Sequence, residues 1–440
     1  MKQYPKYKDS GVKSIGLIPE HWKVERMGKY FSFSKGLPIT KADLTEKGVA
    51  VISYGQIHSK VNNGLTLPEN LVRYVSPAFL ESHPQCLLNK NDFVFADTSE
   101  DIDGAGNFVF NDYPNNIFAG YHDVVARPHD LEYPPYLAAL FSSFLWKRQI
   151  QSLVNGVKVY SINKTFLKNS RILLPSIEEQ KEIFTYTTKK TAQIDRFISE
   201  TEKKIEKLNE LKQAQIAHLV THGLNSDASM KDSGIVWIGQ IPEHWEVSKI
   251  RKIFKLANEK TEEKHARLLS LSQYTGIQPK DKVGKVGMFE AETTTGYNVV
   301  HKGQFVMNIM LAWNGSYAVS DFEGVISPAY CVYDFRIECE KKYFDYLLRL
   351  KVYAGAFKTL SRGIIDSRLR LYPEYFKTFP VIIPPLEEQK SIVNAIDSLS
   401  NRIDTLTSEL THQIDNLKEL KQRIISDAVT GKIDVREANN

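Results

Sequence analysis

The chain has 440 residues, too many for a single hydrophobic core, and its 42% hydrophobic and 25% charged residues are typical of folded protein. The basic N-terminus is not followed by an apolar signal segment, and no run approaches the roughly eighteen apolar residues of a membrane span. We therefore expect a soluble, cytoplasmic protein. A net charge of +5 permits nucleic-acid binding without requiring it. Cys86, Cys331 and Cys339 are too few and too irregularly spaced for a disulfide framework or a metal knuckle.

The sequence contains a tandem repeat, in which two motifs recur in the same order. The segment SGVKSIGLIPEHW begins at Ser10, and SGIVWIGQIPEHW begins at Ser233. Further along, LLPSIEEQKEI begins at Leu173 and IIPPLEEQKSI begins at Ile382. The order A-B-A′-B′ predicts two homologous halves in tandem with a pseudo-twofold organisation.

Each A segment is predicted to be a mixed α/β (α+β) globular domain. Short runs rich in Val, Ile, Phe and Tyr, with Gly, Asn and Pro between them, indicate strands at 49–57, 91–98 and 122–128. The runs RLLSLSQYTG, KGQFVMNIM and AYCVYDFRI indicate their counterparts in the second half. Helical patterns lie at 134–153 and 341–360.

Each B segment is predicted to be one long amphipathic helix. In the second copy, apolar residues follow a mostly heptad spacing at Ile392, Ile396, Leu399, Ile403, Leu406, Leu410, Ile414, Leu417 and Ile424. The first copy keeps Ile183, Ile194, Phe197, Ile205, Leu208 and Ile216. Paired glutamates in the first turn and a glycine after the last turn give both helices clear ends. Two such helices, paired antiparallel as a coiled coil, would form a rigid strut between the globular domains.

These patterns divide the chain into six parts. They are a first globular domain at 1–174, a first helical region at 175–222, a linker at 223–232, a second globular domain at 233–383, a second helical region at 384–431 and a tail at 432–440.

The motifs that could carry catalysis are weak. IPEHW places His21 and His244 beside glutamates, but Trp22 and Trp245 favour a role as hydrophobic anchors, and no recurring nucleophile accompanies them. The acidic loop with Asp97, Glu100, Asp101 and Asp103 could suggest a metal-dependent nuclease, but the second half has NIMLAWNGS there. A solvated loop, or one that contacts base amino groups, is the favoured interpretation. Neither half has an Asn- or Asp-Pro-Pro-aromatic loop or a P-loop.

Polar, basic and aromatic loop residues of the A segments are the candidate DNA contacts. Asn and Gln suit adenine, Arg and Lys suit guanine, and lysines and hydroxyls suit phosphate. The halves share framework residues but differ in these loops. The candidates in the first half are Lys35, Lys41, Tyr54, Gln56, Ser59, Lys60, Asn62, Asn63, Lys158, Tyr160, Asn163 and Lys164. Those in the second half are Gln273, Tyr274, Lys280, Lys282, Lys285, Asn314, Arg362, Arg368 and Arg370.

The layout of these motifs resembles the specificity subunit of type I restriction-modification systems over nearly the whole chain. In that family two target recognition domains alternate with two helical repeat regions. IPEHW opens each domain here, LPSIEEQ and IPPLEEQ open the helices, and the ending Val-Thr-Gly-Lys-Ile-Asp at 429–434 is similar to the family's C-terminal repeat.

The resemblance implies a non-catalytic subunit that binds a bipartite, asymmetric double-stranded DNA target, with one half-site for each domain. It also implies two copies of a separate adenine methyltransferase subunit and, through them, a restriction and translocation subunit. This chain would bind no cofactor or metal itself, and its partners would use S-adenosylmethionine, ATP and magnesium. Two alternatives from other classes remain at this point. One is a DNA-cleaving or DNA-modifying enzyme that uses the acidic loop, and the other is a coiled-coil assembly protein without DNA specificity.

Overall fold

The computed structural model describes residues 3–154, 159–273, 275–282, 293–363 and 369–436. The chain divides into two compact units, one formed by Met1–Glu202 with Thr411–Asn440 and the other by Lys203–Leu410. Each unit combines one α/β domain with the first part of the long helix that follows it and the last part of the other long helix.

The first domain is built from short elements that lead into the first long helix. Its strands are β1 (Tyr7–Asp9), β2 (Leu17–Pro19), β3 (Lys23–Arg26), β4 (Phe31–Lys35), β5 (Leu44–Thr45), β6 (Val49–Ile52), β7 (Arg73–Val75), β8 (Phe93–Ala96), β9 (Thr98–Ser99), β10 (Phe108–Phe110), β11 (Ile117–Ala119), β12 (Asp123–Pro128), β13 (Tyr160–Ser161) and β14 (Arg171–Leu174). Its helices are α1 (Tyr54–Ile57), α2 (Phe79–Ser82), α3 (Pro135–Ser142), α4 (Phe144–Gln151), α5 (Lys164–Asn169) and the long α6 (Ile177–His222).

Two four-stranded sheets form the frame of this domain. One is antiparallel with the order β10-β8-β12-β4, and the other has the order β11-β6-β7-β5, with β11 parallel to β6. Successive side chains of a strand point to opposite faces, so β8 serves two cores. Phe93 and Phe95 pack in the core that contains α3 and α4, whereas Val94 and Ala96 pack against residues of the second sheet.

The second domain repeats this plan with a smaller outer part. Its strands are β15 (Met230–Asp232), β16 (Gln240–Pro242), β17 (Glu246–Lys249), β18 (Phe254–Ala257), β19 (Leu269–Ser272), β20 (Gly276–Pro279), β21 (Asn298–Val300), β22 (Phe305–Asn308), β23 (Tyr317–Val319), β24 (Gly324–Ile326), β25 (Tyr330–Phe335) and β26 (Pro380–Ile383). Its helices are α7 (Ile250–Ile253), α8 (Lys341–Leu348), α9 (Lys351–Leu360), α10 (Pro373–Phe376) and the long α11 (Leu386–Val429). The main sheet is antiparallel with the order β18-β25-β22-β23. Phe305 and Met307 of β22 face the helices, and Val306 faces the outer strands.

One predicted strand is too long, and each of the two predicted helical patterns is divided into two helices. The strand expected at 49–57 ends at Ile52, because Ser53 and Gln56 form a capping box that begins the short helix α1. The helical pattern at 134–153 is broken, because the Ser143 hydroxyl accepts a hydrogen bond from the Trp146 amide and starts α4. The pattern at 341–360 is likewise two helices, α8 and α9.

The two long helices run antiparallel within each unit. In the second unit Lys212 pairs with Asp404 at 2.8 Å, and Gly223 lies beside Glu388 at the start of α11. In the first unit Lys421 of α11 pairs with Asp195 of α6 at 2.7 Å. The two ion pairs occupy equivalent positions of the repeat, so the pseudo-twofold coiled-coil arrangement predicted from the sequence is confirmed.

The heptad seam was predicted too broadly. Ile183, Ile194, Ile392, Ile396 and Ile403 are buried as expected. Phe197 and Leu406, which were expected in the seam, are 59% and 47% exposed. A real helix has 3.6 residues per turn and drifts away from a strict heptad, which turns such positions outward.

The IPEHW motif anchors the start of each long helix. Trp22 is fully buried and donates its indole N–H to Glu179 Oε1 at 3.3 Å, and His21 Nε2 lies 3.0 Å from the same carboxylate. In the second copy Trp245 donates to Glu388 Oε2 at 3.1 Å, and His244 Nε2 lies 2.8 Å away. The anchoring role predicted for the tryptophans is confirmed, and the histidines serve the same contact.

The end of each long helix is held by the domain of its unit. The hydroxyl of Tyr343 donates to the Val220 carbonyl at 2.9 Å, near the end of α6. The hydroxyl of Tyr136 approaches the Val429 carbonyl at 3.5 Å, at the end of α11. Gly431 follows α11 with a φ of +69°, and a side chain there would collide with Pro19. Each domain therefore contacts the beginning of one long helix and the end of the other.

Candidate nucleic-acid interface

One loop contact is shared by both domains and brings two variable loops together. In the first domain the Ile162 amide donates to the Asp97 carbonyl at 2.7 Å, which joins the segment before α5 to the loop after β8. In the second domain the Leu371 amide donates to the Ile309 carbonyl at 2.9 Å, which joins the segment before α10 to the loop after β22. The frame is the same, and the side chains it presents differ.

In the first domain this region contains an acidic cavity of about 440 Å³. Tyr54 and the acidic loop form part of its wall, and the Tyr54 ring lies 4.8 Å from His58. Burial, and then the negative charge of Glu100, raise the pKa of Tyr54. The complete lining is Tyr54, His58, Ser99, Glu100, Asp101, Asp103, Gly104 and Asn107.

A chain of hydrogen bonds fixes one wall of this cavity. Lys147 Nζ donates to Asn107 Oδ1 at 2.6 Å, and Asn107 Nδ2 lies 3.2 Å from His58 Nδ1. His58 Nε2 lies 2.9 Å from the Thr98 carbonyl, so the imidazole donates there and accepts from Asn107. Burial lowers the pKa of Lys147 to about 8, against an opposing effect of Asp103. These partners hold the wall rigid.

Several predicted contact residues of the first domain have structural roles. Gln56 accepts from the Ser53 amide, and Ser59 Oγ accepts from the Val61 amide. Asn62 donates to the carbonyls of Ile57 and Phe108 at 2.8 Å. These hydrogen bonds occupy the side-chain polar groups with which these residues would contact DNA bases. Two further candidates act in the same way, since Asn63 Oδ1 accepts from Leu65 and Thr66, and Asn163 caps α5.

The lysines are the more accessible candidates of the first domain. Lys35, Lys41 and Lys60 are exposed, whereas Tyr160 and Lys164 are partly buried. Lys164 Nζ lies 3.5 Å from the Phe33 carbonyl. Lys158 lies outside the described residues.

In the second domain the same region is basic and aromatic. Arg362 and Arg370 face each other across a two-residue antiparallel bridge, and both side chains are exposed. The Arg362 guanidinium lies 5.0 Å from the Tyr375 ring centroid. Asn314 is exposed at the end of the loop after β22. Three of the predicted contact residues are thus on loops that the shared contact joins.

The other predicted contact residues of the second domain lie away from these loops or outside the residues that the structure describes. Gln273 is partly buried, and its carbonyl accepts from Arg349 at 2.8 Å, beside a cavity that also includes Lys212 of α6 and Asp404 of α11. Lys280 and Lys282 begin and end a short 3-10 turn after β20, with Lys282 exposed. Tyr274, Lys285 and Arg368 lie outside the described residues.

Sequence reasoning missed some side chains at this surface. Lys358 of α9 lies with Nζ 5.4 Å from the Trp313 ring centroid, and Met310 and Leu311 are exposed beside them. In the sequence, the run NIMLAWNGS differs from the acidic loop of the first half by its lack of carboxylates. Its consecutive apolar residues, at the end of a predicted strand, were the available signal.

Two absences apply to the part of the chain that the structure describes. No group of three or more His, Cys, Asp or Glu side chains in those ranges could hold a metal ion. None of the helices found there has both the length and the apolar character needed to cross a bilayer.

The fold and the site together define a class of protein, in which two differing α/β domains of one plan are carried on a pair of long helices. The model of the type I restriction-modification DNA specificity domain matches residues 19–212 and again residues 242–416. The chain therefore belongs to the family of type I restriction-modification specificity subunits, the DNA-recognition components, without catalysis of their own, of these systems.

Individual relatives match this chain over 90% or more of their length. The chain is 25% identical over 467 residues to the type I restriction enzyme MjaVIII specificity subunit of Methanocaldococcus jannaschii, covering 98% of both chains. It is 21% identical to the StySPI specificity subunit of Salmonella potsdam, covering 95% of this chain and 90% of the relative. A chain from a structural study of type I restriction-modification assembly and conformational transition has the same fold, with a TM-score of 0.66 and 16% identity over 94% of this chain and 99% of that one.

Proposed function

We propose that this subunit reads a two-part, asymmetric DNA sequence, with each domain reading one half-site. The observation that carries the proposal is the shared hydrogen bond between loops, Ile162 to Asp97 and Leu371 to Ile309, on which two different side-chain sets are mounted. A fixed frame with variable loops suits a reader whose sequence preference changes while its position on DNA is kept.

The chemistry of the two loop sets supports different half-sites. Carboxylates such as Glu100 and Asp101 accept from exocyclic amino groups of bases, whereas Arg362 and Arg370 suit the acceptor atoms of guanine or phosphate. Exposed Lys35, Lys41 and Lys60 would add contacts to the backbone. The long helices would set the length of the unread spacer, as dimer geometry sets half-site spacing in smaller DNA-binding proteins.

DNA binding by the purified complex tests this function. The chain, assembled with its methyltransferase subunit, is expected to bind a duplex with the two-part target at least a thousandfold more tightly than a scrambled duplex at physiological salt, about the lower end for specific recognition. Equal binding to both duplexes would contradict the proposal. Methyl transfer or cleavage by the chain alone would contradict its role as a non-catalytic reader.

We further propose that each unit binds one copy of the methyltransferase, so that one chain carries two. Exposed apolar residues recur at equivalent positions of the long helices. Phe197 of α6 and Leu420 of α11 belong to the first unit, and Leu211 and Leu406 belong to the second. Isolated exposed apolar residues are common, but a set repeated with the duplication supports two equivalent protein-binding faces.

The stoichiometry of the complex tests this second point. Replacing Phe197 and Leu420 with serine is expected to leave one methyltransferase copy per chain in native mass spectrometry, because the other face is intact. Replacing all four residues should leave none. Leu17→Ser, at another exposed apolar position of the first unit, is the matched control and should retain two copies. Two copies on the quadruple variant would contradict these docking faces.

The chemistry of the complex would come from the partners. We propose that the methyltransferase uses S-adenosylmethionine to methylate adenine, and that a restriction subunit using ATP and magnesium joins through it, in the cytoplasm. Titrating the isolated chain with S-adenosylmethionine or ATP in a calorimeter should give no binding heat. Saturable binding by the chain alone would contradict this division of labour.

A further inference from the structure

The loop after β22 of the second domain presents two apolar side chains to solvent. Met310 and Leu311 are 40% and 41% exposed, although only Ile309 separates them from a fully buried strand. The corresponding loop of the first domain has Ile102 at its surface, but there it is surrounded in sequence by Glu100, Asp101 and Asp103. The apolar tip without carboxylates is thus specific to the second domain.

Hydrogen bonds hold this tip in one conformation. The Met310 amide donates to Asn308 Oδ1 at 3.0 Å, and the Trp313 indole donates to the Met310 carbonyl at 3.0 Å. The Asn308 amide donates to the Ser316 carbonyl at 2.9 Å, and Gly315 turns the chain with a φ of +84°. A pair of apolar side chains held outward on a rigid loop is arranged to insert into a binding partner.

Cations flank the tip. Lys358 lies over Trp313, and Arg362 lies over Tyr375, with Arg370 on the neighbouring strand of the bridge. The Leu371 amide bonds the Ile309 carbonyl, which places the arginine bridge directly beside the tip. Glu374 in the first turn of α10 is a carboxylate of the same region. Among the described residues named here, the three cations outnumber this carboxylate, so these side chains favour an anion beside the apolar pair.

We propose that Met310 and Leu311 form a wedge that inserts at a base step of the half-site read by the second domain and partly unstacks it. Apolar side chains flanked by cations are used in this way by proteins that deform DNA, because phosphate contacts compensate the cost of unstacking. A flexible pyrimidine-purine step is deformed at least cost, so the wedge would add sequence preference without a base-edge hydrogen bond. This inference rests on the proposed function and deepens it.

The test uses the complex of the full chain with its methyltransferase and duplexes carrying the methylated target. 2-Aminopurine, whose fluorescence rises when it is unstacked, is placed in turn at each position of both half-sites. Apart from the target adenines, which a methyltransferase flips out of the stack, the wild-type complex is expected to raise the fluorescence at one step of one half-site only. Met310→Ser with Leu311→Ser should remove most of that rise and weaken specific binding roughly fivefold to a hundredfold, the range for one lost base-pair contact. Val236→Ser, at a 96% exposed position of the same unit, is the control and should behave as wild type.

The outcomes separate this inference from the proposed function. If the wild-type complex shows no preference for a two-part target, the proposed function fails. If it binds specifically but no step other than the flipped target adenines unstacks, or the double variant keeps both affinity and fluorescence, the wedge is wrong. If the double variant instead loses methyltransferase copies in native mass spectrometry while the isolated chain still reads DNA like wild type, the tip is a protein contact and the wedge is overturned.

Discussion

At the scale of single residues, the repeated Trp-Glu contact explains why the two copies share IPEHW and the paired glutamates. Burial alone would raise the pKa of the Glu179 carboxyl, but hydrogen bonds from His21, the Ser176 amide and Trp22 outweigh it, and the pKa is lowered. A buried carboxylate is tolerated only when it is satisfied in this way. The motif is therefore a structural joint between domain and helix.

Replacing this carboxylate should destabilise the first unit. Glu179→Ala is expected to lower the free energy of unfolding by about 1–3 kcal/mol, because it leaves the buried Trp22 indole without its acceptor. Glu178→Ala, at the exposed neighbouring position, should cost much less. Urea unfolding followed by tryptophan fluorescence measures both.

The contribution of Glu179 to stability also depends on pH. Since the folded pKa of Glu179 is depressed, this contribution is present above pH 4.5 and is lost as the pH falls through the folded value. Equal losses for the two variants at pH 7 would contradict this role.

His301 provides a second pH-dependent contact, in the outer part of the second domain. Its two ring nitrogens lie 3.0 Å from Glu323 and 2.9 Å from Glu259, and the hydrogen bonds to Glu259 and then Glu323 raise its pKa. A raised folded pKa gives stability that is fully present below the ordinary value of 6.5 and is lost as the pH rises through the folded value. The side chain is half-exposed, so solvent screens the effect.

The stability difference between wild type and His301→Gln should therefore shrink as the pH rises from 6 to 9. Thermal unfolding across that range measures it, with His129→Gln, at another exposed histidine-carboxylate pair, as the control for general pH effects. A difference that grows with pH would have the wrong sign for this contact.

Single residues also mark the limit of what the sequence could predict. Trp22 and Trp245 were predictable as anchors, because a large apolar side chain at a repeated position is most simply a core residue. The roles of Gln56 and Asn62 depend on local hydrogen bonds with Ser53 and the Phe108 carbonyl. Those partners are set by the folded backbone, so residue type alone made these side chains resemble DNA contacts.

At the scale of elements, the long helices were predictable because their periodicity is sustained and their ends carry clear capping signals. The exposure of Phe197 and Leu406 was not, since a heptad pattern does not reveal which of its apolar positions turn outward in a helix of 3.6 residues per turn. The division of the helical pattern at 134–153 depends on one hydroxyl, that of Ser143. Local contacts of this kind decide where the short strands and helices begin and end.

The tail that follows α11 belongs to the first domain. The Tyr7 hydroxyl donates to the Gly431 carbonyl at 3.0 Å, Val435 is buried, and Arg436 lies 5.0 Å from the Tyr4 ring centroid. These contacts join opposite ends of the chain within one unit.

Ending the chain at Val429 should therefore loosen the first unit and leave the second unchanged. Hydrogen exchange is expected to become at least tenfold faster in the peptide covering residues 4–22 and to stay the same in the peptide covering 233–254. A chain ending at Arg436 is the matched control and should exchange like the full chain. Faster exchange in both peptides would show that the tail has no specific place in the first unit.

At the scale of the whole molecule, the parts that the two copies share form one scaffold used twice, and the parts that differ form two different DNA-recognition surfaces. The kept parts are the Trp-Glu joints, the equivalent ion pairs Asp195–Lys421 and Lys212–Asp404, and the hydrogen bond that joins the variable loops. The changed parts are the acidic cavity of the first domain and the basic and apolar surface of the second. The tandem order was readable from the sequence, whereas the bases recognised depend on loop geometry and on DNA deformability.

The most direct test of this account is to exchange residues 30–170 for those of a relative with a different target and to map methylated adenines across the genome. Cells would carry either the original or the exchanged chain together with its methyltransferase. The account predicts a two-part motif in which one half changes while the other half and the unread spacer stay as they were. A change in both halves would contradict the assignment of one half-site to each domain.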